Sequence, residues 1–181
     1  MHSKLEIEYK VLITNEQFNT LLKLYPHHLV LSQNNTYYDT TPSLKLRGMG
    51  CRIRTIHDRC IFTLKVKQDK GHEEIEFDVP TNDIELPIIQ DVLRKYNIEN
   101  LLPMGSLFTR RHLVELEHAE LCIDYNEYNG QIDYEVEYEL KDPSIDTFDE
   151  FLSILNSANI PYVPNKRTKI QRCFESRRNE E

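Results

Sequence analysis

Charged and apolar residues alternate along several short segments, and this alternation constrains the fold more than any other feature of the chain. In residues 4–13 (KLEIEYKVLI), Glu6, Glu8 and Lys10 share one side of an extended chain, and Leu5, Ile7, Tyr9 and Val11 share the other. Successive side chains of a strand point to opposite faces, so this segment is a strand with one charged and one apolar face. The same segregation returns in residues 51–57, 61–67, 73–79 and 131–140. The charged sets are Arg52/Arg54, Lys65/Lys67, Glu74/Glu76/Asp78 and Glu135/Glu137/Glu139. Phe62/Leu64/Val66, Ile75/Phe77/Val79 and Val136/Tyr138/Leu140 form the opposing apolar faces.

Further strands are expected over 28–39, 107–117 and 120–126. Thr14 with Gln17 three residues on is a capping-box pattern, and Phe18, Leu21, Leu22 and Tyr25 then mark an amphipathic helix over 15–25 that Pro26 ends. Thr41-Pro42 opens a turn or short helix that Gly48 and Gly50 close. Helices are also expected over 82–96, 145–157 and 165–178. About eight closely spaced strands with helices between them define an α+β fold with a dominant antiparallel sheet. Eight strands can close into a β-barrel flanked by helices, which removes the sheet edges. An open sheet with a wet charged face fits the same periodicity.

The 181 residues suit a single domain, 1–181, with its core over about 4–172. No repeat, linker or composition shift divides them. The formal net charge of −8 gives no reason to expect nucleic acid or a membrane as partner. No apolar run approaches the roughly 18 residues of a membrane helix, and the start MHSKLE lacks a signal-peptide core, so a cytoplasmic location is expected. Cys51, Cys60, Cys122 and Cys173 form no CxxC pair and are expected as free, buried thiols. The histidines lack HxxxH or HExxH spacing and are expected at the surface or in turns. Gly48-Met49-Gly50 matches neither phosphate-loop pattern. The tyrosines fall mostly on strands and suit the core or sheet wall, with Tyr37 or Tyr38 at a cavity mouth. The sequence sets no oligomeric state.

One such strand face is equally well a solvated surface. The recurrence, with whole faces of one sign, asks for more. Glutamates alternating on one face repel, and a divalent cation offsets that because hard cations take carboxylate oxygens. Paired arginines or lysines repel likewise, and a polyanion offsets them. The two together make a composite site for a metal–polyphosphate complex.

Glu6-x-Glu8-x-Lys10 resembles the ExExK signature of the CYTH superfamily, the triphosphate tunnel metalloenzymes. The resemblance continues in order through Tyr37-Tyr38-Asp39-Thr40, Arg52-x-Arg54, Lys65-x-Lys67, Glu74-x-Glu76, Asp124 and Glu135-x-Glu137-x-Glu139. It spans Leu5 to about Arg172 and is strongest to the stand-alone bacterial members. The resemblance implies an eight-stranded closed barrel around a charged tunnel. It also implies an enzyme that hydrolyses a triphosphate, inorganic or small organic, with Mg²⁺ or Mn²⁺. It makes Glu6, Glu8, Glu135 and Glu137 metal ligands. Lys10, Arg52, Arg54, Lys65, Lys67, Arg111 and Lys169 become contacts to a small-molecule triphosphate. Arg110 competes with Arg111 for its place, and Lys166 with Lys169; Arg172 supports either lysine. Lys10 also joins Glu74, Glu76 and Asp124 as catalytic candidates, the three carboxylates as groups that orient or deprotonate water. Two alternatives stand beside hydrolysis: an adenylate cyclase of the same family, and a non-catalytic polyphosphate or nucleotide binder.

Overall fold

The computed structural model describes residues 2–177. Nine strands form one antiparallel sheet. They are β1 (His2–Glu6), β2 (Glu8–Ile13), β3 (Leu29–Asp39), β4 (Met49–Ile56), β5 (Arg59–Lys67), β6 (His72–Val79), β7 (Leu102–Glu115), β8 (Ala119–Tyr128) and β9 (Gln131–Leu140). Four α-helices accompany them: α1 (Asn15–Leu24), α2 (Pro87–Lys95), α3 (Phe148–Ser157) and α4 (Lys169–Arg177).

Local chemistry sets most of the boundaries. Thr14 and Gln17 cap α1 reciprocally, each side chain accepting from the other's backbone N–H. Pro87 sits in the first turn of α2, where its missing N–H costs nothing. Asn129-Gly130, both at positive φ, turns β8 into β9 as a two-residue hairpin loop requires. A short 3-10 turn over Leu44–Arg47 ends at Gly48 in the left-handed region. The helix expected over 82–96 begins only at Pro87, and that expected over 165–178 begins at Lys169; Arg178 lies outside the described residues.

The hydrogen-bonded order is β1-β6-β5-β4-β3-β7-β8-β9-β2. This corrects the expected eight-stranded closed barrel in count and in closure: the sheet is open, with β1 and β2 at its two ends. The cause is local. The single strand expected over 4–13 breaks at Ile7. Its first half pairs with β6 (Glu6 opposite His72) and its second with β9 (Glu8 opposite Glu139). The Ile7 carbonyl still accepts from the N–H of Leu140. Gly71 makes the β6 side of this junction possible. Its φ is +70°, and a Cβ there would stand 2.1 Å from the Glu6 carbonyl oxygen.

The sheet is curled, because residues from all nine strands line one cavity. Its apolar face is turned outward and covered by helices. Phe18 and Leu21 of α1 and Phe151, Ile154 and Leu155 of α3 pack on β2, β8 and β9. Ile89, Val92 and Leu93 of α2 pack on β4, β5 and β6. At roughly 25 cal/mol per Å² of apolar surface, these two clusters dominate the favourable side of folding. The charged face is thereby left to the interior. Helix α4 lies on the cavity side, where Cys173 joins Tyr37, Leu107 and Tyr128. No helix among the described residues is long and apolar enough to cross a membrane.

Candidate functional site

The cavity has a volume of about 1160 Å³. Glu6, Glu8, Lys10, Arg52, Arg54, Lys65, Lys67, Glu74, Glu76, Arg111, Glu137 and Lys169 all line it. Strand alternation brings them together: a curled sheet with period-two charge collects every charged face on its concave side. Arg110 and Arg111 take opposite faces for the same reason. Arg111 enters the cavity, whereas the guanidinium of Arg110 lies 5.8 Å from the centre of the outward-facing Tyr125 ring. Lys166 is exposed at the cavity rim.

Glu135 and Asp124 are different. Both are fully buried and stand behind the cavity wall. Glu135 accepts from Asn165, Lys169 and Arg172, so its oxygens are occupied within the protein. Asp124 grips Arg111 bidentately at 2.9 and 2.7 Å and lies 3.0 Å from Lys169. These two carboxylates orient the cations that face the cavity.

The carboxylates are crowded. Glu6 is pushed up to about 7 by burial, with Lys65 opposing and Glu8, Glu74 and Glu139 adding to the rise. Burial also works against Glu8 and Glu74, but the ammonium groups of Lys10 and Lys65 hold Glu8 near 2, and Lys65 and Arg52 hold Glu74 near 2. Lys65 binds Glu6 at 2.5 Å and reaches Glu74 at 3.1 Å. Lys10 binds Glu8 at 2.6 Å, and Glu137 takes Lys169 and Arg111 at 2.5 Å each. On the mouth side, Glu8, Glu139 and Glu120 stand directly opposite one another on β2, β9 and β8.

The cations of β4 are the reverse case. Neither Arg52 nor Arg54 forms an ion pair with a described carboxylate, and the buried Nε of Arg52 has no hydrogen-bond partner among the described residues. Arg54 donates only to the neutral Asn35 amide, at 2.9 Å. Burial and the charges of Arg52 and Arg111 depress Arg54 to about 10. Arg52, by contrast, is raised against its burial by Glu74, Tyr37 and Glu76. Arg54 is therefore the under-neutralised guanidinium of this face, and such a group facing a cavity suits an anion.

The donor set suits a hard divalent cation, since Glu6, Glu8 and Glu137 offer carboxylate oxygens to one cavity. Among the described residues, no three His, Cys, Asp or Glu side chains stand grouped around a common point. Lysines occupy the oxygens instead.

Sequence reading missed several contributors. Asn35, Thr63 and Asn165 bind Arg54, Glu76 and Glu135 respectively. Asp133 holds Arg172 from behind at 2.8 Å. His72 lines the cavity rather than a turn. Uncharged side chains leave no charge alternation to detect, and Asp133 reads as one more acidic residue until α4 folds back over it. Cys51, Cys122 and Cys173 are buried, and Cys60 is partly exposed.

A curled antiparallel sheet that wears its apolar face outside, under helices, and its charge inside defines a class of proteins with an electrostatic interior. Within that class, the family model of the CYTH domain matches residues 4–173, and the chain belongs to the CYTH family. It is 29% identical to YjbK of Bacillus subtilis strain 168, named as a presumed triphosphatase, with 98% of each chain covered. A Bacillus halodurans crystal structure described as a presumed adenylate cyclase is similar at 30% identity. Its TM-score is 0.85, covering 96% of this chain and 100% of that one. A Hippeastrum protein described as having a dominant triphosphatase activity shares the fold at 23% identity and TM-score 0.73, covering 97% and 96% of the two chains.

Proposed function

We propose that the cavity is a tunnel in which a triphosphate, inorganic or small organic, is hydrolysed with the help of Mg²⁺ or Mn²⁺. The observation that carries this reading is the pair Arg52 and Arg54, which form no ion pair with a described carboxylate, facing the same cavity as Glu6, Glu8 and Glu137. The triphosphatase name of the Bacillus subtilis relative supports it.

In this reading, Arg52, Arg54, Lys67 and Arg111 bind the phosphate oxygens and neutralise charge that develops on the leaving group. Glu6, Glu8 and Glu137 would hold the cation, which when bound draws electron density from the phosphate oxygens. Lys10, Lys65 and Lys169, released from those carboxylates, would turn to the phosphates. Glu135, Asp124 and Arg172 hold Lys169 and Arg111 in place. Glu76 faces the cavity and accepts from Thr63 at 3.0 Å, so it is the carboxylate best placed to take a proton from water; Glu74 is tied to Lys65. The water oxygen bonds to the terminal phosphorus as the bridging P–O bond breaks. The departing phosphate chain keeps the electron pair, and the water proton passes to Glu76. Such chemistry asks the protein for position and charge rather than covalency.

A cyclase reading has one observation of its own. At about 1160 Å³ the cavity reaches the size of pockets that take drug-sized ligands, roughly 300–1,000 Å³, which leaves room for a nucleoside. One experiment separates the readings. The protein is incubated with inorganic triphosphate, ATP or thiamine triphosphate, with Mg²⁺, Mn²⁺ or EDTA, and phosphate and cyclic AMP are measured. Metal-dependent phosphate release is the expected result. Cyclic AMP would move the protein to the cyclase class, and tight binding without turnover would make it a binder.

A further inference from the structure

Before its terminal Asp39, the inner face of β3 carries no charge, and it runs between β4, which bears Arg52 and Arg54, and β7, which bears Arg111. Gln33, Asn35 and Tyr37 of this stretch line the cavity. Asn35 is spent on Arg54. Gln33 is not spent. No side-chain hydrogen bond ties it to another described residue, and although only 2% of the residue is exposed it lines the cavity. Its neighbours on either side along the strand, Ser32 and Asn34, are exposed on the outer face, so alternation turns Gln33 inward.

Register places this amide. Gln33 stands opposite Thr109 on β7 and Ile56 on β4. Arg111 is two residues along from Thr109, and Arg54 two residues back from Ile56, so both are diagonal neighbours of Gln33 on the same face. Diagonal neighbours across a sheet lie about 7–8 Å apart, within reach of long side chains. The Thr109 hydroxyl donates to Asn126, so it is not available to donate to the amide oxygen.

A carboxamide that opens on a cavity keeps two donors and an acceptor that a ligand can use. A ligand between the strands that bear Arg54 and Arg111 is best an anion, and an amide N–H₂ offers it a donor. We propose that Gln33 is a further substrate-contacting residue: its Nε2 donates to a non-bridging phosphate oxygen held between Arg54 and Arg111. Its neutrality matters as much as its donor. Arg54 is already depressed by Arg52 and Arg111, so a third cation would add repulsion, while a carboxylate would neutralise the anion site. Gln33 thus adds a hydrogen bond without changing the charge that selects a polyanion.

This inference rests on the triphosphate reading, and the test separates the two. Binding of inorganic triphosphate is measured by calorimetry in EDTA, where metal-assisted turnover is absent, for the full-length protein and for Gln33→Leu and Gln33→Glu. Thermal melts confirm that each variant is folded. Gln33→Leu keeps the size and loses the donor, and its affinity is expected to fall about tenfold to a hundredfold, the range for a hydrogen bond to a charged group. Gln33→Glu is expected to lose more than a hundredfold while its melting temperature holds or rises, because the new carboxylate faces Arg54, which donates to a neutral amide. With metal present, Gln33→Leu should raise KM more than it lowers kcat, which a purely structural role would not do. Wild-type affinity in a folded Gln33→Leu would overturn the inference alone. No triphosphate binding by the wild-type protein would overturn the functional reading and the inference with it.

Discussion

Lys65 Nζ stands 2.5 Å from Glu6 Oε2, so the fifth strand reaches across the sixth to hold the end of the first. Burial raises the Glu6 carboxyl to about 7, and Glu8, Glu74 and Glu139 add to the rise. Replacing Glu6 with Gln removes a repelling charge from among Glu8, Glu74 and Glu139 and frees the Lys65 ammonium. Glu6→Gln is expected to melt within a few degrees of wild type and to lose at least about a hundredfold in metal-dependent kcat/KM. Thermal unfolding and phosphate release measure the two sides. A collapse in stability with activity retained per folded molecule would make Glu6 structural.

Arg54 gives the complementary case. Its charge is buried beside Arg52 and Arg111, and its one hydrogen bond is to a neutral amide. Arg54→Met should therefore leave the fold as stable or more so, while cutting kcat/KM by about 10²–10³-fold, the cost of removing one preorganised donor. Denaturant titration beside steady-state kinetics tests the pair of outcomes.

Arg172 is expected to behave oppositely. Its guanidinium binds Asp133 at 2.8 Å and Glu135 at 2.9 Å, and its side chain is 4% exposed. Truncation to Ala takes the guanidinium from two carboxylates under α4, leaving Glu135 to Asn165 and Lys169 and Asp133 to Asn126 and Tyr128. The expected loss is about 3–5 kcal/mol in chemical denaturation, the range for breaking a buried pair from one side. A loss below about 1 kcal/mol would show that the ion pairs do not hold α4 down.

Gly71→Ala should unfold or loosen the junction of β1 and β6. The added methyl meets the Glu6 carbonyl, and the left-handed φ is strained for alanine. A destabilisation of about 2–3 kcal/mol or more is expected, with early hydrogen exchange across residues 2–6.

Stability should also depend on a histidine pair outside the cavity. The rings of His28 and His112 lie 4.7 Å apart, edge to face. Burial lowers His112, His28 and Arg110 add to the fall, and Asp124 opposes it. A base with a depressed folded pKa is neutral in the fold and takes a proton more readily when unfolded. Its contribution is thus present above its ordinary value of 6.5 and lost as pH falls below it. Melting temperature is expected to decline from pH 7 to pH 5.5, and His112→Gln to flatten that slope.

The strands and their charged faces were legible because alternation is a local signal. Residues 131–140 became β9 without a shift, and Thr14 with Gln17 capped α1 as its spacing demands. The placement of Arg111 on the inner face follows from counting by two along β7. Three things were not legible. The break at Ile7 leaves no mark in composition, because alternation runs through it unchanged. The withdrawal of Glu135 and Asp124 behind the wall depends on Asn165, Lys169 and Arg172 arriving from a distant segment. The pairings of Gln33 and Asn35 depend on which strands flank β3, which no local pattern states.

That break carries one more consequence. Glu6 and Glu8 belong to different ladders, yet both face inward because a single residue separates them. The junction therefore conserves parity. Adding or deleting one residue beside Ile7 would leave each ladder free to form but put them out of phase, and one of the two carboxylates would face the outer shell. Two residues would restore the phase. The spacing inside Glu6-x-Glu8 is thus a geometric condition on how two ends of a sheet can be served by one continuous stretch of chain.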